Sequence, residues 1–193
     1  MIDKRLRLAE LCRYQADHSQ HVTWLALRLF DTLQPLHKLG DEERFYLQAG
    51  GLLHDIGWIE GWRSHHKTSL RIIINTPILP FNGKERLIIG SIARYHRKSL
   101  PDMKHDHYAA LKEDERRVVD ILASILRLAD GLDSSHQGRV RDLVCSKVTN
   151  KKITLKCAAQ IETKGEIRGA LEKGDLMKKV FHREIEIKWE EIA

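Results

Sequence analysis

The sequence predicts a mainly α-helical bundle that closes with a small C-terminal α+β appendage. Apolar residues recur three and four positions apart through most of the first 130 residues, the signature of helices with one buried face. Beyond Asp142 the pattern changes to β-branched alternation. At 193 residues, with 42% hydrophobic and 31% charged, the chain has the profile of one well-buried globular domain with room for an addition. The expected division is 1–142 for the bundle and 143–193 for the appendage of hairpin, helix and strand.

A short amphipathic helix is expected near Lys4 to Arg13. Asp17 reads as the N-cap of the next, in which Val22, Leu25, Ala26, Leu29, Phe30 and Leu33 form the apolar stripe. Asp41 opens a third helix that runs to about His54 and is ended by Gly57. Ser64 is placed to cap a fourth, with Ile72 and Ile73 inward and Pro77 beyond its end. Residues 83–96 and 113–130 supply two more, the latter opened by Glu113, Asp114 and Glu115, which suit the positive end of a helix. The four prolines, Pro35, Pro77, Pro80 and Pro101, read as stops between helices.

In the tail, LVCSKV and KITLKCA flank Thr149-Asn150-Lys151 as a hairpin. The stretch GEIRGALEKGDLMKKVF is helical but interrupted by glycine, and REIEIKW is a strand with Ile185, Ile187 and Trp189 inward.

Composition narrows the setting. No apolar run approaches the roughly 20 residues of a membrane span, and MIDKRLRLAELC has no signal-peptide pattern, so a cytoplasmic location is expected. Cys12, Cys145 and Cys157 are far apart and form no C-x-x-C pair, which reads as reduced thiols. The net charge of +6 is gathered partly in the tail, where 13 basic face 9 acidic residues from Arg139 onward. No compact basic block or aromatic-basic strand accompanies that surplus, so nucleic acid ranks last among partners. The apolar appendage is compatible with a homodimer.

Histidine is the unusual count, at 11. The dipeptide His54-Asp55 means little alone, since chance gives about 0.7 such pairs in this composition. The other positions carry more weight. His18 precedes Val22 and Leu25 by four and seven, on the apolar face of its helix. His54 follows Leu47 by seven and shares a face with Gly50 and Gly51, which allow a second helix close. His65 precedes Ser69, Ile72 and Ile73, His96 follows Ile88, Ile89, Ile92 and Ala93, and Asp130 follows Leu122 and Leu126, each on a buried side. Five helices therefore aim one ionisable group inward. Buried charge needs compensation, and a divalent cation held by imidazole and carboxylate supplies it. Asp55 diverges from His54 by about 100° on a helix, which suits a carboxylate reaching between two ions.

These strings resemble the HD superfamily of phosphohydrolases: His18-Ser-x-x-Val22-x-x-Leu25-Ala26, Leu53-His54-Asp55-Ile56-Gly57, and Leu126-Arg-Leu-Ala129-Asp130-x-x-Asp133. A closer resemblance is to the C-terminal HD domain of the exopolyphosphatase / guanosine pentaphosphate phosphohydrolase (Ppx/GppA) family. It lies in GLLHDIG, HHKTSLRIIIN, IARYHRKSLP, LRLADGLDSSHQGRV and GDLMKKVFHREIEI. The resemblance implies an HD-domain helical bundle in which His18, His54, Asp55 and Asp130 ligate metal. It places two further ligands, for a dinuclear site, at His65 and His96, with His66 the alternative to His65. In that family the polyphosphate chemistry belongs to N-terminal actin-like domains, whose glycine-rich phosphate loops this sequence does not contain. The expectation is therefore a free-standing HD domain with one or two divalent ions (Mn, Ni, Co, Fe, Mg or Zn) and a small phosphorylated substrate.

On that reading Asp55 and His54 are the catalytic pair, hydrolysing a phosphate ester or phosphoanhydride, nucleotides included, by metal-activated water. Arg97, Lys98, Lys67 and Arg63 flank the ligands and are candidates to hold phosphate, with Arg94, Arg127 and Arg139 weaker ones. Asp133 reads either as support for a ligand histidine or water, or as a helix cap. Trp58, Trp62, Tyr95 and Tyr108 read as packing residues or as stacking partners for a base. The alternative function is a non-catalytic regulatory or dimerisation module that binds metal or nucleotide.

Overall fold

In a computed structural model that describes residues 3–159 and 164–191, helices dominate and a three-stranded sheet closes the C-terminal end. Residues 160–163, 192 and 193 of the expected appendage lie outside the described residues. Helix α1 (Lys4–Leu11) is capped by Asp3, whose carboxylate accepts from Arg5 N at 2.9 Å. Helix α2 (Ala16–His37) buries His18, Val22, Leu25, Ala26, Leu29, Phe30 and Leu33, the row expected from spacing. It starts one residue before Asp17. Gln15 is its N-cap and Asp17 lies in the first turn, where its charge faces the helix dipole without capping.

Pro35 does not stop α2 but lies inside its last turn. So near the end, the missing N–H removes one helical bond, and neighbouring contacts hold the turn. Leu33 and His37 are buried there, and His37 is bonded to Phe30 O at 2.9 Å and Leu39 N at 3.0 Å. Lys38 in the left-handed region (φ 59°) ends the helix.

Helix α3 (Asp41–Leu53) opens with three acidic residues and ends with His54 as its C-cap. Gly57 is not its stop: a 3-10 turn, Ile56–Glu60, runs through it. A Cβ on Gly57 would lie 2.1 Å from His65 O and 2.7 Å from Ser69 N, so the residue is required by close backbone approach. Ser69 Oγ ties this junction by donating to His54 O at 2.7 Å and accepting from Gly57 N at 2.9 Å. Helix α4 (His65–Asn75) follows. Ser64 stands at its N-cap position but in the left-handed region (φ 57°), with no side-chain capping bond.

Asn82 and Glu85 form a reciprocal capping box on α5 (Gly83–Arg94). A short α6 (Asp106–Ala109) precedes α7 (Glu113–Gly131), the central helix, on which Val119, Leu122, Ala123, Leu126 and Ala129 have no exposed surface. Strands β1 (Asp142–Val148) and β2 (Lys152–Ala159) pair antiparallel, with Leu143 opposite Cys157. Helices α8 (Lys164–Lys173) and α9 (Asp175–Phe181) carry the chain to β3 (Glu184–Glu191), which lies parallel to β2 on its far side. Ile185 is buried and Ile187 and Trp189 pack on the core, as the alternation predicts. The appendage rests on the bundle: β1 packs on α2, and α8 and α9 on α7. No helix among the described residues is long and apolar enough to cross a membrane, and all three cysteines are free.

The Gly57 contact gives a stability prediction. Gly57→Ala is expected to destabilise the fold by about 2 to 3 kcal/mol, an overpacking cost, because the backbone of α4 must retreat. The shift in denaturant midpoint at constant m-value measures it.

Candidate metal centre

Each candidate histidine ligand has a partner on its Nδ1 side that fixes its orientation. His54 and His96 lie just past the ends of α3 and α5, where last-turn carbonyls are open to a further donor. His54 Nδ1 bonds Gly51 O at 2.6 Å, and His96 Nδ1 bonds Ala93 O at 2.7 Å. His65, the first residue of α4, does the same with Trp62 O at 2.8 Å. His18 is held by a side chain, its Nδ1 lying 2.8 Å from Asp133 Oδ2. A carbonyl only accepts, so the three backbone-bound rings must carry their proton on Nδ1; the same tautomer suits His18 beside its carboxylate. Each ring then presents the lone pair of Nε2 to the centre.

Those four Nε2 atoms converge on Asp55. Its Oδ2 lies 3.7 Å from His18 Nε2 and 3.5 Å from His54 Nε2. Its Oδ1 lies 3.1 Å from His65 Nε2 and 3.4 Å from His96 Nε2. Asp130 Oδ1 joins the first pair, 3.4 Å from His18 Nε2 and 3.9 Å from His54 Nε2. Two groups result, His18-His54-Asp55 and Asp55-His65-His96, both buried and sharing the one carboxylate. One close approach is unfavourable: His65 Nε2 and His96 Nε2 face each other at 3.4 Å.

The donor set fits a divalent cation. Ligand bonds of about 2.1 Å require donor-to-donor edges of about 3.0 Å in an octahedron and about 3.4 Å in a tetrahedron, close to most of the separations above. His18 Nε2, His54 Nε2 and Asp55 Oδ1 are buried atoms without a hydrogen-bond partner. Lone pairs facing carboxylate oxygens repel unless positive charge lies between them.

The electrostatics agree. Burial opposes the charge of Asp55, yet His54, His65 and His96 hold its carboxyl far below the usual range. For Asp130 burial is again outweighed, chiefly by Lys173 and His18. Burial acts against protonation of His18, but its contacts with Asp130 and Asp133 push it up to about 9, so without an ion a proton holds Nε2 and a bound metal would displace it. Burial drives His96 well below its ordinary value.

The six expected ligands, His18, His54, Asp55, His65, His96 and Asp130, are thus brought together. Asp133, fully buried, accepts from Gly138 N at 2.8 Å through the oxygen that His18 does not use, so it supports a ring and the following loop. His66 points elsewhere; burial, then the charge of Arg94 and its neighbours, push it down to about 3. Arg97 reaches the centre, with Nη1 3.4 Å from His65 Nε2. Arg63, Lys67 and Lys98 line an adjoining cleft with Arg94. Arg127 does not face either: it is buried in a two-pronged ion pair with Asp175 at 2.6 and 2.9 Å. Among the described residues the Arg139 side chain bonds only Gln137. Tyr95 and Tyr108 are buried packing residues, whereas Trp58 is partly exposed and stacks on His65, ring centroids 5.2 Å apart.

Two neighbours were not legible in sequence. Lys173, on α8, ion-pairs with Asp130 across 43 residues of chain, and no local pattern marks it. His136 stacks on the His18 ring at 3.7 Å, nearly parallel, and bonds Gln15 Oε1 at 2.7 Å.

Comparison with protein families finds a match to Ppx/GppA phosphatase, domain III, over residues 5–179. The chain belongs to this family. The matched span takes in every residue of the centre, and Lys173 as well. No curated protein matches the chain.

Because Asp133 touches a ligand ring and not the centre itself, its removal should weaken metal binding without abolishing it. Asp133→Ala is expected to lower metal affinity about tenfold to hundredfold, measured by competition with a chromogenic chelator.

Proposed function

We propose that this Ppx/GppA domain III chain is an HD-type, metal-dependent phosphohydrolase, cleaving a phosphate ester or phosphoanhydride at a dinuclear centre. One observation carries the reading: four imidazoles locked through Nδ1 turn four Nε2 lone pairs onto the two oxygens of Asp55. A structural core gains nothing from such an arrangement, and a cation-binding site requires it.

His18, His54, Asp130 and Asp55 Oδ2 would hold one ion, and His65, His96 and Asp55 Oδ1 the other. Bound there, divalent cations neutralise phosphoryl oxygens and acidify water to a nucleophile at neutral pH. The chain's own contribution is to orient and exclude. Asp55 sets the spacing between the two halves, and its Oδ1, without a donor of its own, is placed to orient the attacking water. Arg97, beside the His65 half, is placed to hold a phosphoryl oxygen. The burial of all six ligands keeps bulk water from the reacting atoms.

The test combines elemental analysis of purified protein with a panel of phosphorylated substrates under added Mn, Ni, Co or Mg. Metal-dependent turnover is expected, with Asp55→Ala losing at least about a hundredfold. Metal bound without hydrolysis of any substrate, together with no effect of Asp55→Ala, would overturn the enzymatic reading.

The Lys173–Asp130 ion pair favours a second reading, a regulatory module without turnover, because the ammonium takes up one oxygen of an expected ligand. The two readings part at this lysine. Under the enzymatic reading Lys173→Met leaves Asp130 free for the ion, and metal affinity should rise about threefold to tenfold with turnover retained. Under the regulatory reading affinity rises and turnover remains absent. Isothermal titration and the substrate panel give both readouts.

A further inference from the structure

The strongest unassigned feature is a buried arginine with no partner. Arg94, the last residue of α5, is 4% exposed, and its side chain makes no ion pair or hydrogen bond among the described residues. Its Nη1 is fully shielded and unsatisfied; the Tyr95 ring lies 5.7 Å away, and the nearby His66 and His107 supply no counter-charge. The fold satisfies its other buried arginine: Arg127, 5% exposed, is clamped by Asp175. A guanidinium desolvated without a counter-charge is unfavourable unless an anion completes it.

The surroundings indicate where that anion sits. Arg94 lines a cleft of about 380 Å³ with Arg63, Lys67, Arg97 and Lys98, and no carboxylate lines it. His66 lines it too, 5% exposed and with a buried, unpartnered Nδ1. Helix α4 begins at the cleft and departs from the rule that α3, α5 and α7 follow. Those open with acidic residues, whereas α4 has neither an acid in its first turn nor a side-chain cap. Its positive dipole end is thus left to a ligand.

The charge and layout select the chemistry. Cations approach from the start of α4 (Arg63, Lys67) and from the end of α5 and its following turn (Arg94, Arg97, Lys98). A planar carboxylate satisfies one wall. A tetrahedral dianion directs oxygens to both, and it better matches five positive charges.

We propose that this cleft is a phosphoryl-binding subsite built on Arg94, separate from the metal ligands. Arg97 joins the two, since it lines the cleft and touches His65. The occupant is either a second phosphoryl group of a substrate held at the metal centre or free inorganic phosphate. The subsite uses none of the six ligands, so it does not rest on the phosphohydrolase reading.

Inorganic phosphate is titrated into chelator-treated, metal-free protein at constant ionic strength, with calorimetry and thermal melting as readouts. Wild type should bind saturably and melt higher with phosphate. Arg94→Gln should bind at least about tenfold more weakly, lose the phosphate-dependent shift, and melt no lower than wild type without phosphate, since an unpaired buried charge is gone. The exposed pair Arg63→Ala/Lys67→Ala provides a second variant that leaves the core intact and should weaken binding about threefold or more. No saturable binding by wild type, or wild-type affinity in both variants, overturns the proposal.

With metal restored, the two occupants separate. A second phosphoryl group predicts that Arg94→Gln raises KM for diphosphate substrates but not for monoesters. Free phosphate predicts that the variant relieves phosphate inhibition of all substrates alike. If no turnover is found, the phosphohydrolase reading fails while the metal-free titration still decides the subsite.

Discussion

Asp55 stands among four imidazole nitrogens that all turn lone pairs toward it, and most of the helix packing can be derived from the need to hold that arrangement. Left to themselves, the rings would rotate to donate a proton to the carboxylate. Each is prevented by a bond on its far side: to the backbone for His54, His65 and His96, and to Asp133 for His18. The backbone acceptors for His54 and His96 are carbonyls of the last turns of α3 and α5, groups that helix termination leaves open to another donor. Ending two helices at the same point in space therefore creates both the ligands and the acceptors that fix them. The Ser69 hydroxyl and the Cβ-free approach at Gly57 join α4 to the end of α3, which sets His65 against the same carboxylate.

This dependence explains why the sequence disclosed some parts and hid others. The inward-facing candidate ligands were legible because each keeps helical register with its own apolar stripe, as His18 does with Val22 and Leu25. The dipeptide His54-Asp55 was weak by itself for a concrete reason: the chain has a second one, His105-Asp106, whose histidine bonds Tyr95 OH at 2.8 Å instead. The choice between His65 and His66 was not legible, since both are buried on the first turn of α4. Geometry separates them through Trp62 O, which takes the His65 proton and turns its Nε2 to the centre.

Capping was read less well than packing. Asp17 and Ser64 have the right chemistry at nearly the right places, but neither side chain caps its helix. At α2, Gln15 begins the helix and its amide oxygen is also taken by His136, the ring stacked on His18. At α4, Ser64 adopts a left-handed backbone that lets the chain turn sharply from Trp62, whose carbonyl must meet His65. Both departures occur beside a candidate ligand, where local helix preference yields to placement of the ring.

The C-terminal appendage then becomes part of the centre rather than an addition to it. Periodicity alone marks a break near Asp142, and the sheet does begin there. Yet the crossover between β2 and β3 lays α8 across α7 so closely that a Cβ on Gly131 would lie 2.6 Å from Ala170 Cα. That contact carries Lys173 to Asp130, the candidate ligand near the end of α7. Long-range placement of this kind follows from topology and not from any local pattern, so no window of sequence could reveal it. Lys173 meets Asp130 Oδ2, while Oδ1 faces His18 and His54, so the appendage supplies a positive charge at the back of a candidate ligand.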